Sequence, residues 1–170
     1  MKTLYDLIIG IILVIQVPKM ITLKEYYCGF GVIFNKEYKY PFVQSHYKEP
    51  FTPTITQLKK AENLLMIGYY DYKNKVIDSF NSNKKTDIKL KEPKNVKKRF
   101  SKYYRQYAGY VNSSNDSIIY IGLFNFSNSK KASIYFEGWD KTLFLGSGEY
   151  YENNQESYLI NLSKENISFK

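Results

Sequence analysis

The chain has 170 residues, 44% of them apolar, which is enough for one domain with its own core and excludes wholesale disorder. Its formal net charge of +9 at pH 7 favours anionic surroundings without naming any. A single cysteine, Cys28, excludes an intrachain disulfide.

The first element is an apolar run from Leu7 to Val17, preceded only by Lys2 as a basic residue. A run of this size has the length of the hydrophobic region of an export signal and is short of the roughly 20 residues that span a bilayer. Residues 1–20 are therefore expected to be an export signal or a membrane anchor, which places the protein in the cell envelope. No small-x-small cleavage site follows, and Tyr26-Tyr27 before Cys28 argues against a lipid-modified cysteine. Residues 21–50 read as a tether, with room for a short strand at Gly31–Phe34. The only histidine, His46, falls there; without a second histidine or a cysteine beside it, it makes no metal site.

The clearest boundary is Phe51-Thr52-Pro53-Thr54-Ile55-Thr56-Gln57. Thr54 with Gln57 three residues later forms a capping box. Ile55, Leu58, Ala61 and Leu65 then recur at helical spacing, and Tyr69, Tyr72, Val76 and Phe80 continue it. One long helix is expected to about Phe80, with Gly68 as a possible kink and Asn81-Ser82-Asn83 as the stop. The next stretch, Lys84–Arg105, is strongly basic, and Asp87 and Glu92 are its only acidic residues.

Beyond it the residues are β-prone. Tyr103–Val111 and Ser117–Phe126 flank the polar loop Asn112–Asp116, which predicts a hairpin. Ile119, Ile121 and Leu123 fall on one face of the second strand, with Ile118, Tyr120 and Phe124 on the other. Further strands are expected at Ala132–Phe136, from Leu143 through Tyr151, and at Ser157–Leu162, with a last short one at the end. The fold class predicted is α+β: one long helix across a curved antiparallel sheet of four to five strands.

Three stretches carry a resemblance. They are Phe51-Thr52-Pro53-Thr54 leading into Lys60-Ala61-Glu62, Tyr103-Tyr104-Arg105-Gln106-Tyr107-Ala108-Gly109-Tyr110 opening the hairpin, and Glu137-Gly138-Trp139. On these the region 51–170 resembles small uncharacterised exported bacterial proteins with a cystatin-like (nuclear-transport-factor-like) α+β fold. The resemblance implies a fold and a location outside the cytoplasm, and no activity. True cystatins inhibit cysteine proteases through a Gln-x-Val-x-Gly hairpin; Gln106-Tyr107-Ala108-Gly109 lacks the valine and places its glycine one residue early, so inhibition does not carry over.

Arg105 and Gln106 stand out in an aromatic strand. Together with Tyr103, Tyr107 and Trp139 they form either a recognition patch for a protein, peptide or glycan, or structural pairs. In the structural alternative Arg105 meets Glu137 or Glu149, Gln106 satisfies backbone groups, and Trp139 closes the rim of the core. Nucleic acid is a second candidate partner, through Lys84–Arg105 with Tyr103, Tyr104 and Tyr107 as stacking platforms. An enzyme with a pocket between helix and sheet is the third reading. Glu149, Glu152 and Glu156 read as a solvated loop, and no Ser/His/Asp set, Cys/His pair or phosphate-cradling loop supports a catalytic centre. No catalytic residue, cofactor or metal is assigned.

Overall fold

The computed structural model describes residues 18–38, 47–89 and 95–168. The apolar run that ends at Val17, and His46, lie outside the described residues. The fold is α+β, with one long helix laid over an open mixed sheet.

The helix begins where the local chemistry directs it. The Thr54 side chain accepts from the Gln57 backbone N–H while the Gln57 side chain accepts from the Thr54 backbone, so the capping box is closed. Helix α1 then runs Ile55–Lys84 without a break at Gly68, four residues past the expected end. Asn81 lies inside the last turn and organises the exit. Its backbone carbonyl accepts from Lys85 and Thr86, and its side chain holds Thr86 and Ile88. Lys85 is left-handed, as a helix C-terminus requires. Leu58, Ala61, Glu62, Leu65 and Tyr69 are the buried residues, all in the first half.

The predicted hairpin is formed by β4 (Tyr103–Asn112) and β5 (Ser117–Asn125), in unbroken antiparallel register. Strand β6 (Gln155–Asn161) takes the free edge of β5, and β7 (Asn166–Ile167) completes that side. The faces of β5 alternate as expected. Ile119, Ile121 and Leu123 join Leu58, Leu65 and Tyr69 under the helix, whereas Tyr120 and Phe124 enter separate clusters on the far side. Each fully buried leucine contributes about 1.5–3 kcal/mol of burial energy, so the helix–sheet seam is the main stabilising layer.

The stretch expected to be a tether is part of the sheet. It supplies β1 (Lys19–Ile21), β2 (Gly31–Ile33) and β3 (Tyr47–Phe51), and Leu23, Tyr26, Tyr27 and Phe34 are buried. β2 pairs with β1 and, in parallel, with the first half of β4; β3 pairs antiparallel with the second half of β4 along the same edge. Among the described residues the sheet is therefore mixed and seven-stranded, where an antiparallel sheet of four to five strands was expected.

Two expected strands are helices. Ser129–Tyr135 forms α3, capped by the Asn128 side chain, and Glu149–Asn154 forms α4 after the left-handed Gly148. The reason lies in what has to be covered. β6 already occupies the edge of β5, and the far face of the sheet needs a lid. Ala132 and Phe136, four residues apart, fall on one side of a helical turn and pack on Phe124. A short α2 (Val96–Phe100) precedes β4, capped by Asn95, and sets Phe100 edge-on to Tyr69.

Candidate functional site

Strand alternation decides where the candidate residues go. In β4, Tyr103, Arg105 and Tyr107 face the helix, and Tyr104 and Gln106 face the opposite side. Arg105 and Gln106 are adjacent in sequence and on opposite faces of the sheet, so they do not form one patch.

Under the helix, Arg105 is fully buried and paired with Glu62 of α1, Nε to Oε1 at 3.1 Å, both side chains having 0% exposure. The partner is neither Glu137 nor Glu149, which are exposed on the far side. Arg105 Nη1 also donates to the backbone carbonyls of Phe100 and Tyr103, tying α2 to the start of β4. The Tyr107 hydroxyl donates to the same Glu62 oxygen at 2.7 Å and lies 3.2 Å from the Tyr27 hydroxyl, and the Tyr27 ring carries the Arg105 guanidinium 4.5 Å from its centre. Glu62 Oε2 and Arg105 Nη2 have no hydrogen-bond partner among the described residues. Burial pushes the Tyr107 hydroxyl well above its ordinary pKa and the Tyr27 hydroxyl up to about 12. Gly31 is required for this arrangement, since a Cβ there would lie 2.5 Å from the Tyr27 hydroxyl oxygen and 2.9 Å from the Tyr107 ring. The network is closed to solvent and links α1, α2, β4 and the connection between β1 and β2.

On the other face Gln106, also fully buried, acts as a clamp. Its Nε2 donates to the carbonyls of Trp139 and Thr142, and its Oε1 accepts from the Phe144 N–H at 2.9 Å. It thereby fixes the segment 139–144 against the sheet. Trp139, half-buried, is set beside Tyr104, Phe124 and Phe126. Tyr104 stacks on Phe126 with centroids 3.9 Å apart, and Phe30 meets Tyr104 edge-on at 5.6 Å. Phe30 is 50% exposed, and Tyr104, Phe126 and Trp139 are each partly open to solvent. Gly29 makes room for this group, because a Cβ there would come within 2.4 Å of the Tyr104 ring. Of the five candidate residues only Trp139 therefore stands at a surface; Tyr103, Arg105, Gln106 and Tyr107 are buried. The sequence reading missed Phe126 beside it and Phe30 against Tyr104, and missed Glu62 as the partner of Arg105.

A third polar group lies at the rim, where Glu156 belongs to β6 and not to a loop. It accepts from Arg99 at 2.8 Å, pairs with Lys73 at 3.0 Å, and is hydrogen-bonded by the Tyr158 hydroxyl. Burial alone would raise its pKa, but Lys73, Arg99 and Tyr158 together hold the carboxyl below its usual value. Glu149 and Glu152 lie in α4 and are exposed.

Tyr103 and Tyr107 offer no ring face for base stacking, being 8% and 0% exposed, while Lys97, Lys98 and Arg99 of α2 remain at the surface. Among the described residues no group of three or more His, Cys, Asp or Glu side chains is placed to hold a metal, and no helix is long and apolar enough to cross a membrane. Comparison with family models, curated proteins and solved structures gives no match to this chain.

Proposed function

We propose that the chain is a noncatalytic binding domain, exported or held at the membrane by its N-terminal segment. Its ligand, a glycan or a peptide, is taken at the aromatic group of Phe30, Tyr104, Phe126 and Trp139. The observation that carries the proposal is the partial exposure of these four side chains around a clamped segment, while the ionisable and amide side chains of β4 are used internally. Flat rings fixed by their neighbours lose little conformational entropy on contact, which suits them to stack on a sugar face or an apolar side chain. The space beneath α1, where an enzyme pocket would lie, is occupied by Leu58, Leu65, Ile119, Ile121 and Leu123. A cystatin-like scaffold is part of this reading, supported by the helix lying over the β4–β5–β6 meander; β1 to β3 are additions to it.

The only tryptophan supplies the test. Titrating oligosaccharides and peptides into the protein should quench or shift Trp139 fluorescence for a binding ligand, and Phe30→Ala should weaken that response. A ligand whose binding leaves both Trp139 and the Phe30→Ala variant unaffected would remove this site. Fractionation of the tagged protein tests location, and recovery wholly in the soluble cytoplasm would contradict it.

A second reading, attraction to an anionic surface through the basic segment 84–105, is supported by the exposure of Lys97, Lys98, Lys102 and Arg99. It predicts electrostatic contact without base stacking, and so a steep loss of binding with salt in a gel-shift series.

A further inference from the structure

α1 is 30 residues long, about 45 Å at 1.5 Å per residue, and it is roofed onto the sheet for only half of that length. Its buried residues end at Tyr69. Glu62 sits over β4, Gly68 meets Ile167 of β7, and Tyr72 and Lys73 meet Tyr158 and Glu156 of β6. The helix thus crosses the strands from β4 to the β6–β7 edge, and its remaining turns continue past that edge.

The face that is buried in the first half does not turn polar beyond it. Val76 and Phe80 follow Leu58, Leu65 and Tyr69 on the same side of the helix, and they are 38% and 47% exposed. Charge is segregated around them. Asp71, Asp78 and Lys75 fall on the sides of the helix away from the stripe, whereas Lys73 and Lys84 fall beside it. The exit turn adds exposed Lys85 and Lys89 against Asp87. Glu156 is already engaged by Lys73 and Arg99. An apolar stripe bordered by cations complements an apolar stripe bordered by carboxylates.

We infer that the free half of α1 is a docking face for an acidic amphipathic helix of a partner protein, whose apolar side chains cover Val76 and Phe80. Nucleic acid would leave the apolar stripe unused. This face is separate from the aromatic group around Trp139, and either can fail without the other.

The test uses the full chain and two fluorescein-labelled synthetic helices of three turns, one built of Leu and Glu and one of Leu and Lys, followed by anisotropy. The Leu/Glu peptide is expected to bind saturably and the Leu/Lys peptide not to bind. The double variant Val76→Glu/Phe80→Glu should weaken binding about tenfold or more, the size of a small hot spot. Its substitutions lie outside the buried core, and circular dichroism checks that the fold is kept. The variant Lys84→Glu/Lys85→Glu/Lys89→Glu leaves the stripe intact and should weaken binding comparably at low salt, with the difference shrinking as salt rises. Absence of saturable Leu/Glu binding would overturn the inference, as would binding that neither variant changes. Stronger attachment to phosphatidylglycerol vesicles than to the peptide, lost in both variants, would overturn it in favour of a lipid surface.

Discussion

Removing both members of the Glu62–Arg105 pair should cost far less than the sum of removing each alone. Each charge is fully buried, and each is compensated mainly by the other. Glu62→Leu leaves a guanidinium without its counter-ion in a site closed to water, and the expected cost is about 3–5 kcal/mol. For a chain of this size that is a fall in Tm of roughly 6–20 °C. Arg105→Met leaves the carboxylate unpaired and also strips the Phe100 and Tyr103 carbonyls of a donor, so it should be at least as damaging. The double variant keeps only the cost of those carbonyls and of the Tyr107 hydroxyl, about 2–4 kcal/mol, so the cycle should show a coupling of about 3 kcal/mol or more. Urea unfolding of the four proteins at constant m-value measures it. Additive losses, or single variants within about 0.5 kcal/mol of the parent, would refute the claim that this pair is buried and mutually compensated.

Four further outcomes follow from the packing. Tyr107, Tyr27, Tyr69 and Tyr158 all have raised pKa values through burial, so the folded state favours their neutral form. That contribution is complete below the ordinary tyrosine value near 10 and is lost as pH rises above it. A tyrosinate absorbance titration should show exposed tyrosines ionising first and these only together with unfolding. Glu156 has the opposite sign: its lowered pKa stabilises the fold above about 4.5, and urea midpoints should fall as pH drops below that value, less so in Lys73→Met. Gly31→Ala should cost about 1–3 kcal/mol by pushing a methyl group into Tyr27 and Tyr107, as read from thermal melts. Gln106→Leu removes the hold on 139–144 and should red-shift and quench Trp139 emission while the far-ultraviolet spectrum stays unchanged.

What could be read from the sequence was what neighbouring residues decide among themselves. The Thr54–Gln57 box, the Leu58–Leu65–Tyr69 stripe and the β4–β5 hairpin all depend on contacts a few residues apart or on one tight loop. The three strands before α1 do not. β2 is only three residues long and gains its place from β4, whose partner positions are more than 70 residues away. Residues Ala132–Phe136 and Gly148–Tyr151 are β-prone in composition, but the edge they would need is taken by β6, and packing on Phe124 overrides propensity. Glu62 is 43 residues from Arg105, too far for any spacing rule to pair them. One signal was available and decisive: neighbours in a strand point to opposite faces, so Arg105 and Gln106 could not share a patch, whereas Tyr104 and Gln106 could share a face with Trp139.

The central claim is that the half-exposed rings around Trp139 take a ligand and that no reaction follows. A glycan and peptide array probed in parallel with the parent chain and with Phe30→Ala/Trp139→Ala tests it most directly, with mass spectrometry of each retained compound. The account predicts retention that the double variant loses, with every compound recovered chemically unchanged. Retention that survives the double variant, or recovery of a cleaved or modified compound, would contradict it.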